Sequence, residues 1–143
     1  EDEDEYLEVL DRLKRKWDTA AKLIPEPAIK MRKSAKLGIV SVGSCDYAVL
    51  EALDQLARKG IHLNYLRVKA FPFGDKVTEF LNQHERVFVV EQNRDAQLRG
   101  LLLLETNYPK NRMESVLNYS GLPIDCRCII DAIESHAAKG EAA

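Results

Sequence analysis

The feature that most limits the fold of this chain is an alternation. Short apolar runs give way four times to stretches whose apolar residues recur at helical spacing. Leu37–Val42 is the first run, and Gly43 ends it. Its nearly continuous apolar character suits a strand covered on both faces. Behind it Val49, Ala52, Leu53, Leu56 and Ala57 line one face of a helix, and Arg58, Lys59 and Gly60 stop that helix. Leu63–Val68 repeats the strand, Pro72-Phe73-Gly74 breaks the chain, and Val77, Phe80 and Leu81 mark a short helix from Asp75. Arg86–Glu91 is a third strand with Val87–Val90 at its centre. The following helix, Asp95 to about Glu105, carries Leu98, Leu101 and Leu102 inward and is broken at Tyr108-Pro109. Ser115–Asn118 reads as a fourth, short strand, and Asp125 opens a last helix with Cys126, Ile129, Ile130 and Ile133 on one face. This order predicts an α/β fold with a mostly parallel sheet, helices on both faces and right-handed crossovers. Contacts in such sheets gather beyond the carboxyl ends of the strands. Here those loops are residues 43–46, 71–74, 91–95 and 119–123.

The region before Leu37 has a different character. Glu1 to Glu5 is an acidic head, favourable at a helix amino terminus. Leu7, Leu10, Leu13, Trp17, Ala20 and Ile24 then form one apolar stripe, with Lys14, Arg15 and Lys16 following the acidic residues. Pro25 and Pro27 end that helix, and residues 25–36 read as a basic, irregular linker whose charge is ordinary solvated surface. The expected division is therefore a leading helix and linker over 1–36 and a compact domain over 37–143. A length of 143 residues suits one domain with a sizeable core. The net charge of -2 gives no pull toward nucleic acid or an anionic membrane. The longest apolar runs, Val87–Val90 and Leu101–Leu104, are far too short to span a bilayer. The acidic amino end does not read as a signal peptide, and three cysteines do not make a disulfide framework, so the expected compartment is the cytoplasm. A first residue of Glu and not Met suggests a piece of a longer polypeptide.

Few residues are placed for chemistry. Gly43-Ser44-Cys45-Asp46 lies at a strand-to-helix junction, where free amides bind anions. No further glycines of a dinucleotide fingerprint follow, no phosphate-loop lysine is present, and Asp46 repels phosphate. The expected role of Gly43, Ser44 and Asp46 is a strand-end turn, with Ser44 or Asp46 capping the next helix. Cys45 is the sharpest nucleophile candidate, since a helix amino terminus lowers a thiol pKa. None of His62, His84 and His136 is set beside it as a base, so a half-buried turn residue is the better reading. Cys126 and Cys128 point in different directions on a helix, and zinc or an iron–sulfur cluster needs about four ligands. They read as a core residue and a surface residue, so no catalytic, cofactor or metal residue is assigned. Glu91-Gln92-Asn93-Arg94-Asp95 is more informative, because five polar side chains follow directly on a buried strand. Gln97 and Arg99 extend the run into the next helix. The run suits a specific polar contact, and it equally suits a plain helix cap with Asp95 at the start.

The stretch from Val87 through Glu91-Gln92-Asn93-Arg94-Asp95 to Arg99 resembles a signature of the C-terminal domain of 2-oxoacid:ferredoxin oxidoreductase α subunits. The turn Gly43-Ser44-x-Asp46 with Ala48-Val49 and Glu51-Ala52 resembles the start of that domain, and Leu66–Phe73 its second strand and loop. Tyr6–Lys16 resembles the leading helix of the branch that acts on 2-oxoglutarate. The resemblance covers nearly the whole chain. It implies a three-layer αβα fold like the transketolase C-terminal domain, with a mainly parallel five-stranded sheet. It implies a parent enzyme that oxidatively decarboxylates a 2-oxoacid to its acyl-CoA and passes the electrons to ferredoxin. That enzyme uses thiamine diphosphate, Mg, a 4Fe-4S cluster on a partner β subunit, and coenzyme A, with no cofactor expected in this fragment. The implied partners are the remaining α-subunit domains, the β subunit and, through the complex, ferredoxin. The implied role of Glu91, Gln92, Asn93, Arg94, Gln97 and Arg99 is to hold the domain against them. Two other readings stay open: a free-standing α/β module for a small anion or a protein, and a fragment of a transketolase or 2-oxoacid dehydrogenase E1-like chain.

Overall fold

The computed structural model describes residues 2–32 and 35–140, with side chains through residue 137. Glu1 of the acidic head, Lys33 and Ser34 of the expected linker, and residues 141–143 of the expected domain lie outside the described residues. The chain runs α1 (Glu3–Ala21), β1 (Ala28–Lys30), β2 (Leu37–Val42), α2 (Asp46–Arg58), β3 (Leu63–Val68), α3 (Asp75–Asn82), β4 (Arg86–Glu91), α4 (Gln97–Glu105), β5 (Met113–Leu117) and α5 (Cys126–Gly140).

The five strands form one sheet in the order β1-β3-β2-β4-β5. β2 pairs parallel with β3 and with β4, and β4 pairs parallel with β5. β1 pairs antiparallel with β3, Ala28 opposite Arg67 and Lys30 opposite Tyr65. The expected mainly parallel sheet is therefore present. Its fifth strand lies in the segment read as an irregular linker, so the fold reaches back across the expected boundary at residue 37.

Successive residues on a strand point to opposite faces, and the core follows that rule. Ile39, Phe88 and Val90 pack with Val49, Leu53 and Leu56 of α2 and with Ile129, Ile130 and Ile133 of α5. Val40, Val87 and Val89 pack on the other side with Val77, Phe80 and Leu81 of α3 and with Leu98 and Leu102 of α4. Helix, sheet and helix thus make three layers around two apolar clusters. Each fully buried Val, Leu, Ile or Phe contributes roughly 1.5–3 kcal/mol. Leu101, expected inward, is on the solvent side of α4. α1 is helical as expected but ends at Ala21, short of Ile24 and Pro25, and buries none of its residues.

Gly38 on β2 shows how closely the second cluster is fitted. A Cβ there would come within 3.1 Å of the His84 ring and of Phe80. His84 Nδ1–H donates to the Phe80 carbonyl (2.6 Å), and Asn64 Nδ2–H donates to His84 Nε2 (2.8 Å). The Asn64 amide is oriented by its own oxygen, which accepts from the Arg32 amide at 2.6 Å. One chain of hydrogen bonds therefore ties the β1–β2 connection, β3 and α3 together.

Candidate functional site

The sheet reverses its direction of growth at β2. β3 is added on one side and β4 on the other, and the helices that follow β2 and β4 go to opposite faces. The carboxyl ends of β2 and β4 thus bound the crevice where α/β sheets place their contacts. The 43–46 turn and the run from Glu91 to Gln97 meet there, through Gln92 and Ser44.

Glu91 ends β4 and is 1% exposed. Its carboxylate accepts from Leu98 N (2.7 Å), Arg99 N (3.2 Å) and Asn93 Nδ2 (2.6 Å). Two of these donors are free amides of the first turn of α4, so an internal carboxylate occupies the position an anionic ligand takes at a helix amino terminus. The cap of α4 is therefore Glu91, not Asp95. Asp95 instead pairs with exposed Arg94 (2.7 Å). Asn93 Oδ1 accepts from the amides of Asp95 and Gln97, which holds Ala96 in the left-handed region at φ 52°. An alanine there costs roughly 1–2 kcal/mol in isolation, and the surrounding bonds hold it in place.

Gln92 bridges the crevice. Its Nε2 donates to Ser44 Oγ (2.9 Å), and its Oε1 accepts from the Ile124 amide (3.0 Å). It joins three of the strand-end loops. Gly43 supplies the positive φ of 62° that the first turn requires. Asp46 makes no helix cap, and neither does Ser44. Asp46 accepts from the Tyr65 hydroxyl (2.7 Å) and from Arg67 Nη1 (3.2 Å), while Arg67 Nη2 donates to the Gly43 carbonyl (3.2 Å). With the Tyr65 proton directed to Asp46, the Ser41 hydroxyl donates to Tyr65 (2.7 Å). Burial, and then the Asp46 carboxylate, hold the Tyr65 phenol well above its ordinary pKa, so it is a proton donor at neutral pH. No pattern along the chain signals this lattice. Tyr65 and Arg67 lie two apart in a strand, which puts both on one face, but their partners come from another segment.

Arg99 also turns inward, with Nε donating to the Met113 carbonyl (3.0 Å) and Nη2 to the Lys110 carbonyl (3.3 Å). Arg94 and Gln97 keep exposed side chains. Two open hollows flank the crevice. One, of about 500 Å³, lies between Ser44, Gln92 and the 118–124 loop, where Tyr119 and Leu122 are 64% and 73% exposed. The other, of about 310 Å³, is largely apolar and lies among Val42, Phe71, Phe73, Gln97 and Leu101.

The cysteines do not assemble. Cys45 is 1% exposed, not half-buried, and burial pushes its thiol pKa up, the reverse of a helix-activated nucleophile. Cys126 and Cys128 are both partly buried against the α2–α5 cluster, so neither is a plain surface residue. Burial raises both thiols as well, and Gln55 Nε2 donates to Cys126 Sγ at 3.4 Å. Among the described residues no group of three His, Cys, Asp or Glu side chains is placed to hold a metal. His84 lies in the core and His62 on the surface, so neither is a base for Cys45. The residues present do not fit a diphosphate, its Mg or an iron–sulfur cluster. Carboxylates occupy or adjoin both helix starts of the crevice, and the thiols are protonated and apart.

No protein-family model matches the chain. A 2-oxoacid:ferredoxin oxidoreductase α subunit of Aeropyrum pernix is 32% identical over 109 residues, which is 75% of this chain and 17% of that protein. The structure of a 2-oxoglutarate:ferredoxin oxidoreductase from Magnetococcus marinus superposes with a TM-score of 0.73 at 21% identity, over 82% of this chain and 21% of that one. A split-gene transketolase superposes with a TM-score of 0.60 at 17% identity, over 77% of this chain and 40% of that one. The last two likenesses concern the fold alone, and they agree with a three-layer, transketolase C-terminal-like domain. The chain spans about a fifth of the length of the oxidoreductases it matches. By its sequence, it belongs to the 2-oxoacid:ferredoxin oxidoreductase α-subunit family.

Proposed function

We propose that this chain is an assembly domain of a 2-oxoacid:ferredoxin oxidoreductase α subunit, with α1 as its leading segment and an α/β body that takes in β1 as well as residues 37–143. The parent enzyme, on this reading, oxidatively decarboxylates a 2-oxoacid to its acyl-CoA in the cytoplasm and passes the electrons to ferredoxin. The substrate proposed is 2-oxoglutarate, on the likeness of the Tyr6–Lys16 helix to that branch. Thiamine diphosphate, Mg, the 4Fe-4S cluster and coenzyme A belong to other parts of the enzyme, which are also the partners proposed for this domain. Among the described residues no helix is long and apolar enough to cross a membrane.

One observation supports assembly over chemistry. The strong polar groups of the crevice, Glu91, Asp46 and Arg67, bond to their own chain, while Phe71, Leu101, Tyr119 and Leu122 are exposed, as are Arg94 and Gln97. Apolar and aromatic groups among a few exposed polar ones are the composition of a protein contact. The test is benzyl viologen reduction with 2-oxoglutarate, coenzyme A and thiamine diphosphate. This chain alone is expected to show no turnover, and an enzyme that contains it with its β subunit is expected to reduce the dye. Turnover by the chain alone sinks the reading.

A further inference from the structure

The apolar stripe of α1 has no cover in this structure. Tyr6, and not Leu7, lies in line with Leu10, Leu13 and Trp17 on one face of the helix, at spacings of four, three and four residues. Leu10 and Leu13 are 44% and 51% exposed. The only ring contact of the stripe among the described residues is that of Trp17 with Phe71, at 5.7 Å. In proteins most of a helix's stability comes from packing of its apolar face.

Two properties of the stripe identify what covers it. The first is its symmetry. Reversed end for end, the spacing is unchanged, so Tyr6 falls opposite Trp17 and Leu10 opposite Leu13. This spacing is that of a helix pair with a left-handed crossing, in either relative direction. The second is charge. Residues 2–11 carry six acidic and no basic side chains, whereas residues 12–22 carry five basic and one acidic. Side by side in the same direction, two such helices set like charge against like. In opposite directions each acidic half meets a basic half. We propose that α1 pairs antiparallel with α1 of a second copy of this chain, across a twofold axis between Leu10 and Leu13.

The attachment of the helix agrees with that arrangement. α1 meets its own domain at its carboxyl end, where Trp17 rests on Phe71 and Ile24 lies beside Gly74. A 19-residue helix is about 28 Å long, so antiparallel pairing sets the two domains at opposite ends of the pair. The interface is isologous and closes as a dimer. It is small against the roughly 1,200–2,000 Å² of a stable complex, so the dimer dissociates on dilution.

Sedimentation equilibrium of the 143-residue chain tests this. A monomer–dimer equilibrium is expected at micromolar to millimolar protein. Leu10→Gln with Leu13→Gln keeps good helix formers and touches no core residue. That variant is expected to stay monomeric at all concentrations with an unchanged thermal midpoint. Raising NaCl from about 0.01 M to about 0.15 M shortens the screening length from roughly 30 Å to roughly 8 Å. It is expected to weaken the dimer several-fold, whereas a parallel pair is strengthened by the same salt. A chain that is monomeric throughout, with the stripe then covered by another part of the subunit, overturns the proposal. So does a dimer that survives the double variant, or one that tightens with added salt. None of these outcomes depends on the oxidoreductase assay.

Discussion

At the scale of single residues, Glu91 is the clearest case of a side chain with a structural task at a functional-looking position. Seen as sequence, it heads a polar run, and its loss is expected to trouble a complex more than the isolated domain. In the structure it is 1% exposed and accepts three hydrogen bonds, two from the first turn of α4. Removing a buried acceptor leaves its donors unsatisfied, which typically costs about 1–3 kcal/mol and more where charge is involved. Glu91→Ala is therefore expected to destabilise the isolated chain by about 2–4 kcal/mol in urea unfolding. A loss below about 0.5 kcal/mol shows that α4 does not depend on this cap. His84 is the second case. Burial lowers its pKa below the ordinary 6.5, against a smaller opposing effect of its bond to the Phe80 carbonyl. The unfolded chain then binds a proton that the folded chain does not, in the window below pH 6.5 and above the folded pKa. Stability is full above pH 6.5 and falls as pH drops through that window, with a slope of up to about 1.4 kcal/mol per unit. His84→Gln is expected to be less stable at pH 7.5 but to lose that part of the slope. Equal slopes for the two proteins between pH 7 and pH 5 refute the assignment.

At the scale of elements, the sequence was legible where a segment carries its own burial pattern. β2, β3 and β4 are runs of six residues with apolar centres, buried almost throughout, and they stand where the alternation puts them. β1 was not legible, because Ala28–Lys30 is short, exposed on every residue and ordered only by pairing with β3. α1 was legible as a helix but not as to its surroundings, since periodicity shows that a face is apolar and not what covers it. The start of α4 was misplaced by two residues, because its cap comes from a strand and not from the adjacent Asp95. The crevice shows the same division. Its location follows from strand order, whereas Tyr65, Arg67 and Ile124 entered it through contacts between segments. α5 gives a prediction at this scale. Cys126 and Cys128 both border the α2–α5 cluster without filling it, so Cys126→Ser and Cys128→Ser are each expected to lower stability by less than about 1.5 kcal/mol. Elemental analysis is expected to find no stoichiometric zinc or iron in the chain. Metal at one equivalent, lost with either change, contradicts this account of the helix.

For the whole molecule, the question is which groups of the crevice remain available to the rest of an oxidoreductase. Glu91, Asn93 and Arg99 hold α4 and β5 in place, so changing them confounds folding with assembly. Gln92 is exposed but links Ser44 to Ile124, so it serves both purposes. Arg94 and Gln97 separate the two. Both side chains are exposed, and among the described residues Arg94 pairs only with Asp95, an exposed ion pair worth roughly 0–1 kcal/mol. Arg94→Ala with Gln97→Ala is therefore expected to shift the unfolding free energy of the isolated chain by no more than about 1 kcal/mol. If these residues form buried polar contacts with other domains, truncating one side typically costs about 2–5 kcal/mol at the interface. In an enzyme containing this domain, the pair is then expected to weaken subunit association by at least tenfold in analytical ultracentrifugation, or to lower dye reduction comparably. Full association and full turnover move the contact elsewhere. The Phe71 loop and the Tyr119–Leu122 loop are next, because they carry the exposed aromatic and apolar groups beside the two hollows. Phe71→Ser and Leu122→Ser distinguish these: the first also frees Trp17 of α1, whereas the second leaves α1 untouched. An assembly defect from Leu122→Ser alone places the contact at the α5 side of the crevice, and one from Phe71→Ser alone places it at the α1 side.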